Sequence, residues 1–379
     1  MWGAVLGISL QARTIELAPA SAVIAYGRLA TAGAAVAAIV QILIGFWSDA
    51  RRRRGSRRIE FYAIGGIAGA AALVSFYDAR TLTALAISFV ALQAALNVAI
   101  GPFQAIIPDF VERNRIGVAS SWMAALQSAG NAVGALAAAF VNNARALGSA
   151  LSALLLVTCA VTSGHARQLS LCDSGDARQP LRVTRPFVDL FISRALIYVG
   201  FYTLLGYLLF YVEAVLGATA LTDARRLTGI LIVSFTLIGA AGAALAARPS
   251  DRLDKRLVAT AGAAGFIIAL GLFIGAQGIG VAVAATLVAG LGWGIFLVAD
   301  WAIACRVLPP GAMARGMGIW NLAVVLPQIV APALTTAVLE HLKLGTGSQA
   351  TRVAFGLALG ETLGGIAWLW RLSRCAIGE

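Results

Sequence analysis

Charged residues are scarce in this chain of 379 residues, where Asp, Glu, Lys and Arg together account for 12%. A soluble globular domain usually holds about 25%. The apolar share is correspondingly high, at 60%, and the mean hydropathy is +0.85. This composition argues against a soluble protein and predicts one that is embedded in a lipid bilayer.

Cysteine and histidine are also few. The four cysteines show no CxxC spacing, which predicts neither a disulfide framework nor a zinc site. They are Cys159, Cys172, Cys305 and Cys375. The two histidines, His165 and His341, have no metal-ligand residues beside them in sequence. We therefore expect no bound metal.

Sequence patterns of common enzymes are missing as well. The chain contains no HExxH, no GxSxG and no GxxxxGK segment. The run Gly290 to Gly294 (GLGWG) lies within an apolar stretch, so it indicates close helix packing rather than a phosphate-binding loop. We expect neither enzymatic activity nor a cofactor, and the missing ATP-binding pattern excludes the usual ATP-driven pumps.

Long apolar runs fill most of the chain. A bilayer core of about 30 Å needs roughly 20 helical residues, each rising about 1.5 Å. Eleven segments are of about this length: 22–46, 59–77, 81–107, 116–141, 146–163, 187–212, 227–247, 257–275, 280–304, 316–340 and 352–370. A twelfth, Met1 to Ala12, is too short to cross. We expect an all-α membrane protein whose chain begins inside its first helix or whose first helix enters the bilayer only partway.

The longest polar connector runs from Gly164 to Pro186 and divides the segments six and six. It predicts an amino-terminal helix bundle (residues 1–163), a linker (164–186) and a carboxyl-terminal bundle (187–379).

Basic residues cluster in alternate connectors. The turn after the second segment holds six arginines, Arg51 to Arg54 with Arg57 and Arg58. With the amino terminus in the cytoplasm, cytoplasmic connectors hold 20 of the 29 basic residues and outer connectors hold eight. This bias predicts a multi-pass protein of the cell (inner) membrane with a cytoplasmic linker. It also explains the net charge of +12 without nucleic acid as a partner.

The two halves resemble each other at an offset of 200 to 202 residues. Asp49 corresponds to Asp251, and Gln127 to Gln328. This repeat predicts two six-helix bundles related by a pseudo-two-fold axis.

These residues resemble the major facilitator superfamily. Gly45-x-x-x-Asp49, followed by arginines, is similar to that superfamily's loop motif between helices two and three. Within it, the chain looks most like the glycoside–pentoside–hexuronide and sucrose-symporter branch. That likeness rests on SDARRRRGSRR, GPFQAIIPD, DWAIACRVLP and MGIWNLAVVLPQIVAP.

The resemblance implies a monomeric secondary active transporter that moves a small polar organic solute by alternating access, with a sugar or glycoside as first choice. Efflux of a drug or another organic solute is an alternative. So is a non-transporting assembly or pigment-delivery factor on the same fold. A coupling proton or sodium ion stays open, since segments two, four and five contain no carboxylate where related symporters commonly carry an aspartate.

The resemblance also implies a conformational role for the Asp49 loop. A carboxylate at a helix end can accept backbone N–H bonds, and arginines can pair with it across the interface between the bundles. The gating residues expected on this basis are Gly45, Asp49, Arg54, Arg57, Arg58, Asp109, Asp251 and Arg252. The alternative is that the arginines only set the topology.

In the first half, Gln93, Asn97 and Gln104 lie on one face of segment four. Amides on such a face suit a polar solute in a water-filled cavity, because they both donate and accept hydrogen bonds. Hydrogen bonding between helices is an equal alternative.

In the second half, Arg194 and Asp300 lie at similar depth from the same side of the membrane. We expect an ion pair that serves as a gate or is opened by protonation of Asp300; a helix cap by Asp300 is the alternative. The remaining substrate-contact candidates are Tyr198, Trp293, Asn321 and Gln328.

Overall fold

A computed structural model gives the structure of the chain. It describes residues 1–56, 58–111, 116–168, 184–218, 220–276, 278–307 and 313–372. Within these ranges, the side chains of residues 53, 104, 108, 109, 116–121, 124, 125, 251, 305, 313–318 and 321 are not described.

The described chain folds into helices, with no strand in these ranges. The amino-terminal part consists of α1 (Trp2–Ala4), a π-helical turn (Val5–Ser9), α2 (Leu10–Leu17) and a 3-10 turn (Pro19–Ser21). The rest of the first half comprises α3 (Ala22–Arg53), α4 (Ile59–Asp78), α5 (Leu82–Gln104), α6 (Ile106–Phe110), α7 (Ile116–Phe140) and α8 (Ala144–Gln168). The second half comprises α9 (Arg185–Ala214), α10 (Leu221–Arg252), α11 (Lys255–Gly275), α12 (Ile279–Val307), α13 (Met313–His341) and α14 (Ser348–Leu369).

The eleven long segments predicted from hydropathy are therefore confirmed as helices. In the described part of the chain, nine helices are long and apolar enough to cross a membrane. They are α3, α4, α5, α8, α9, α10, α11, α12 and α13. The predicted linker includes residues 164–168, which continue α8, whereas residues 169–183 lie outside the described ranges.

The first helix is longer than its apolar run. The helical backbone continues from Trp2 to Leu17, so the boundary expected at Ala12 is five residues too early. Two of its polar side chains are buried and donate hydrogen bonds within the helix: Gln11 to the Leu6 carbonyl at 2.8 Å, and Thr14 to the Gln11 carbonyl at 2.8 Å. Internal hydrogen bonds allow such residues to be buried, which the apolar pattern alone does not predict.

This first helix packs against helices of both halves. It contacts α3 and α7 on one side and α9 and α10 on the other. A Cβ built on Gly3 would lie 1.9 Å from the carbonyl oxygen of Asn131, so the α1 and α7 backbones touch there. Gln11 also donates to the carbonyl of Gly206 on α9, at 3.3 Å.

The two bundles have matching internal packing and a symmetric interface. In the first half, α4 packs on α5 and α8, and α3 packs on α5; the equivalent contacts in the second half are those of α11 with α12 and α14, and of α10 with α12. The bundles meet through α3 with α13 and through α7 with α10. Because α3 corresponds to α10 and α13 to α7 in the repeat, the two contacts are pseudo-two-fold mates. The predicted fold class is confirmed.

Glycines bring α12 close to its neighbours. A Cβ built on Gly294 would lie 1.9 Å from the Gly239 carbonyl oxygen on α10, and one built on Gly292 would lie 2.5 Å from the Gly262 carbonyl oxygen on α11. Small residues let membrane helices approach closely, and packing replaces the hydrophobic effect as the driving force in lipid. The packing expected for the GLGWG run is confirmed.

Candidate functional site

Arg194 and Asp300 occupy equivalent depths in facing helices. Arg194 lies nine residues after the start of α9, about 13 Å along its axis, and Asp300 lies seven residues before the end of α12, about 10 Å along it. The guanidinium Nη1 of Arg194 donates to Oδ2 of Asp300 in a close ion pair. Both residues are buried, at 4% and 2% exposure. The expected contact is present.

Aromatic rings surround this pair. The Arg194 guanidinium carbon lies 3.5 Å from the centre of the Trp320 ring and 4.7 Å from that of Tyr198. Nη2 of Arg194 donates to the Tyr198 hydroxyl at 3.2 Å. Burying a charged pair is costly unless hydrogen bonds and ring contacts replace water. This arrangement therefore explains how Arg194 remains charged in the bundle interior.

Two N–H donors in the same cluster remain unsatisfied. Nε of Arg194 and Nε1 of Trp320 are both buried, and neither has a hydrogen-bond partner in the described part of the chain. Trp320 itself is 1% exposed. Both groups are donors only. An oxygen acceptor, from a water molecule or a solute, would satisfy them.

Trp293 is packed among other rings in this conformation. It stacks on Phe201 with ring centres 4.1 Å apart and meets Tyr198 edge to face at 5.0 Å. Its exposure is 7%. These contacts explain its burial without a solute, and a solute contact stays a prediction.

The carboxyl-terminal half carries a second polar contact between α9 and α13. Gln328 donates to the Tyr202 hydroxyl at 3.1 Å. Tyr202 lies two turns beyond Arg194 on α9, so the polar contacts follow one side of the helix. The side chain of Asn321, the other candidate on α13, is outside the description.

The amides predicted on segment four are buried against α3. Gln93 and Asn97 are 4% and 6% exposed. A Cβ built on Gly33 of α3 would lie 3.1 Å from Cγ of Gln93, and Asn97 donates to the Gln93 carbonyl of its own helix at 2.8 Å. The Asn97 bond lies within its own helix, so a role of these amides in hydrogen bonding between helices or in binding a solute stays a prediction. The side chain of Gln104 is not described.

Side chains around Asp49 form hydrogen bonds with one another. Arg58 donates to Oδ1 of Asp49 at 2.8 Å and to the hydroxyl of Ser48 at 2.7 Å. Its backbone has a φ of 60° and a ψ of 16°, in the left-handed region, which turns the chain into α4. The hydroxyl of Ser56 bonds to Glu60 and accepts from the Arg58 amide. Ser48, Ser56 and Glu60 were not predicted as members of this network.

The other gating candidates differ in how far they are described. No atom lies within 4 Å of a Cβ built on Gly45, and Arg54 is exposed. Arg252 is exposed in the last turn of α10. Arg57 and the side chains of Asp109 and Asp251 lie outside the description.

In the second-half turn, Asp254 caps α11. Its side chain accepts a bond from the Arg256 amide at 2.9 Å and from the Arg256 guanidinium at 2.7 Å. Arg256 also donates to the Leu372 carbonyl at 2.6 Å, which ties the end of α14 to the start of α11.

Bonds between the halves occur where α3 begins and α13 ends, which we call the Arg28 end. Arg28 pairs with Glu340 at 2.8 Å, and a Cβ built on Gly27 would lie 1.7 Å from Oγ1 of Thr336. At the mate contact, Arg225 of α10 donates to the Ala138 carbonyl of α7 and to the carbonyl of Val141, the residue that follows α7. The loop with Asp49 lies at the opposite end of α3, which we call the Asp49 end.

Comparisons with known proteins agree with this architecture. The family model described as Major Facilitator Superfamily matches residues 3–332. A search of curated proteins finds no match in sequence.

Three solved structures illustrate the similarity. A bacterial homologue of the human lysosomal transporter Spinster, inward-facing and occupied, has a TM-score of 0.77 at 15% identity, over 97% of this chain and 92% of that one. The nucleoside transporter NupG has a TM-score of 0.72 at 15% identity, over 98% and 96%. A bacterial homologue of the iron transporter ferroportin, inward-facing, has a TM-score of 0.61 at 15% identity, over 100% and 97%. At this identity they show the fold alone.

Proposed function

The chain belongs to the major facilitator superfamily, and from this premise we propose that it is a secondary transporter which moves a small polar organic solute across a membrane by alternating access. Membership in this superfamily points to a transporter rather than an enzyme. The observation that carries the proposal is the symmetric interface, in which α3 meets α13 and α7 meets α10. Such an interface lets one bundle rock against the other about a site between them.

The conformation is proposed to be open toward the Asp49 end. The Arg28–Glu340 ion pair and the Arg225 bonds hold the halves together at the Arg28 end. Asp49 is bonded to Arg58 of its own loop. The latch role of this loop, with pairing across the bundle interface, stays a prediction.

The solute is proposed to contact α9 and α13 beside the buried ion pair. The unsatisfied donors of Arg194 and Trp320 suit an oxygen acceptor on the solute. Movement of Asp300 away from Arg194 would free further donors, so the pair serves as a gate. Gln328 and Tyr202 lie farther along the same path.

A sugar or glycoside remains the first choice of solute, from the resemblance to the glycoside–pentoside–hexuronide branch. A nucleoside is of the same chemical kind, because it contains a sugar ring, and the solved relative NupG is named as a nucleoside transporter. The inner membrane, the cytoplasmic amino terminus and the monomeric state belong to the same proposal.

Uptake by proteoliposomes tests this function. Purified protein is reconstituted and exposed to a panel of labelled sugars, glycosides and nucleosides, with empty liposomes as the control. We expect counterflow of at least one labelled solute, and loss of that counterflow in Arg194→Gln protein. Folded protein that moves no member of the panel would favour an efflux carrier or a non-transporting assembly factor.

A further inference from the structure

Glu361 is an ionisable residue in the middle of α14. It lies 13 residues after Ser348 and eight residues before Leu369, about 20 Å and 12 Å from the two helix ends. Both oxygens of its carboxyl group are buried, and neither has a hydrogen-bond partner in the described part of the chain. The sequence pattern did not single it out.

The helices α14 and α9 pack closely on each other near Glu361. A Cβ built on Gly200 would lie 2.5 Å from Oγ1 of Thr362, and one built on Gly365 would lie 2.5 Å from Cγ1 of Ile197. The same construction on Gly364 meets Leu196 at 3.7 Å. Glu361 therefore lies beside a stretch of α9 that contacts α14 through glycine, aliphatic side chains and the Ser193 hydroxyl, which donates to the Gly365 carbonyl at 2.8 Å.

The charged groups of α9 are Arg185, Asp189, Arg194 and Glu213, of which Arg185 and Glu213 lie at the two ends of the helix. Arg194 is bonded to Asp300. Asp189 accepts from the Trp368 indole at 3.0 Å and lies 3.7 Å from Arg371, so it is near the end of α14, two turns beyond Glu361. The tyrosines of α9 in this region are Tyr198, Tyr202, Tyr207 and Tyr211. Tyr198 is bonded to Arg194, and Tyr202 is bonded to Gln328. Tyr207 lies by Thr336. Tyr211 packs on Phe355, which is about 9 Å along α14 from Glu361.

The charges on the remaining elements are also distant. The charged residues of α11 are Lys255 and Arg256, which lie in its first turn. Arg256 donates a hydrogen bond to the Leu372 carbonyl. Among the described side chains of α13 the charges are Glu340 and His341, at its last residues. On α14 itself, Arg352 bonds to the Ala276 carbonyl, about 13 Å along the axis from Glu361.

An ionised carboxylate without a partner is strongly disfavoured in such surroundings. Transfer of an isolated charge from water into a medium of low dielectric costs more than transfer of the neutral acid. From the burial of both oxygens and the absence of a partner for them in the described part of the chain, we propose that Glu361 is a proton-binding site, which holds its proton in this conformation. The carboxyl group releases it in a conformation that admits water.

The release step is a simple ionisation. The O–H bond of the Glu361 carboxyl breaks, the proton passes to a water molecule, and a carboxylate remains. If the protein transports by alternating access, as proposed above, this makes the proton the coupling ion. It also answers why segments two, four and five lack a carboxylate, since α14 supplies one.

Infrared spectroscopy of reconstituted protein tests the proton site without any solute. A protonated carboxyl absorbs through its C=O stretch at higher frequency than a carboxylate. At neutral pH we expect such a band in the wild-type protein, its loss in Glu361→Gln, and its retention in Glu340→Gln. Glu340 is the matched control because it lies near the helix end, paired with Arg28.

Two results would overturn the proposal. One is a wild-type spectrum without a protonated carboxyl band at neutral pH, which needs no variant and so does not depend on whether Glu361→Gln folds. The other is a band that persists in Glu361→Gln, since it then belongs to another group. Neither result bears on the uptake assay, so failure of the proton site and failure of the transport function are distinguishable.

Discussion

Arg194 and Asp300, 106 positions apart in the sequence, form a buried ion pair that joins α9 to α12 in the second bundle. The pair is stacked on Trp320 and hydrogen-bonded to Tyr198. Each charge is therefore tolerated inside the membrane only because the other is present.

Removing one charge of this pair should destabilise the protein more than removing both. Asp300→Asn or Arg194→Met alone leaves an uncompensated buried charge, at a cost of about 3–5 kcal/mol by analogy with buried pairs elsewhere. The double variant removes both charges, so it should unfold at a temperature closer to that of the wild type. Thermal unfolding of the purified proteins measures this cycle. Single variants as stable as the wild type would contradict it.

Arg225 should hold the Arg28 end closed, whereas its neighbour Arg226 should not. Arg225 donates to the carbonyls of Ala138 and Val141 at the end of α7, while Arg226 is half exposed and lies 3.9 Å from Asp223 on its own helix. Hydrogen bonds to a charged group contribute about 1.5–3 kcal/mol, which is at least about a tenfold shift in a two-state equilibrium.

Cysteine labelling measures this shift. Thr336→Cys, in protein without the native cysteines, places a thiol at a position that is 4% exposed in the closed interface. We expect faster labelling after Arg225→Ala and an unchanged rate after Arg226→Ala. Equal rates in the two variants would show that the carbonyl bonds of Arg225 do not control this end.

Gly294→Ala should weaken the contact between α10 and α12. The added methyl group would lie 1.9 Å from the Gly239 carbonyl oxygen, so the helices must separate. Overpacking of this kind costs about 1–3 kcal/mol. Gly280→Ala on the same helix is the control, because no atom lies within 4 Å of its added methyl group. Thermal unfolding should therefore separate the two variants, and identical melting curves would refute the close packing.

Much of the fold is predictable because the bilayer fixes the length of each apolar run. The boundaries of α4, α9 and α11 lie within three residues of those expected from hydropathy. The contact of Arg194 with Asp300 is also predictable, because a charge inside the membrane is costly unless it pairs with an opposite charge at similar depth. The position of Trp320 against the guanidinium is not, because it depends on how α13 packs on α9.

Two other features, the roles of Asp254 and Glu361, were not predicted from the sequence, for identifiable reasons. The offset of the repeat points to Asp251, whereas the described ion pair of that turn belongs to Asp254, whose place at the start of α11 allows it to cap the helix. Glu361 was missed although its signal was available, as a single carboxylate within the apolar run GLALGETLGG. Whether it has a partner cannot be told without the neighbouring helices.

The amino-terminal helix has a mechanical consequence for the proposed rocking motion. Its π-helical turn touches α7 and α10, and Ser9 in that turn hydrogen-bonds the Tyr77 hydroxyl of α4 at 2.9 Å. Two residues farther on, Gln11 is bonded to the Gly206 carbonyl of α9. Movement of either bundle must therefore displace or bend the amino-terminal helix. Its π-helical turn lies where helices of both bundles contact it.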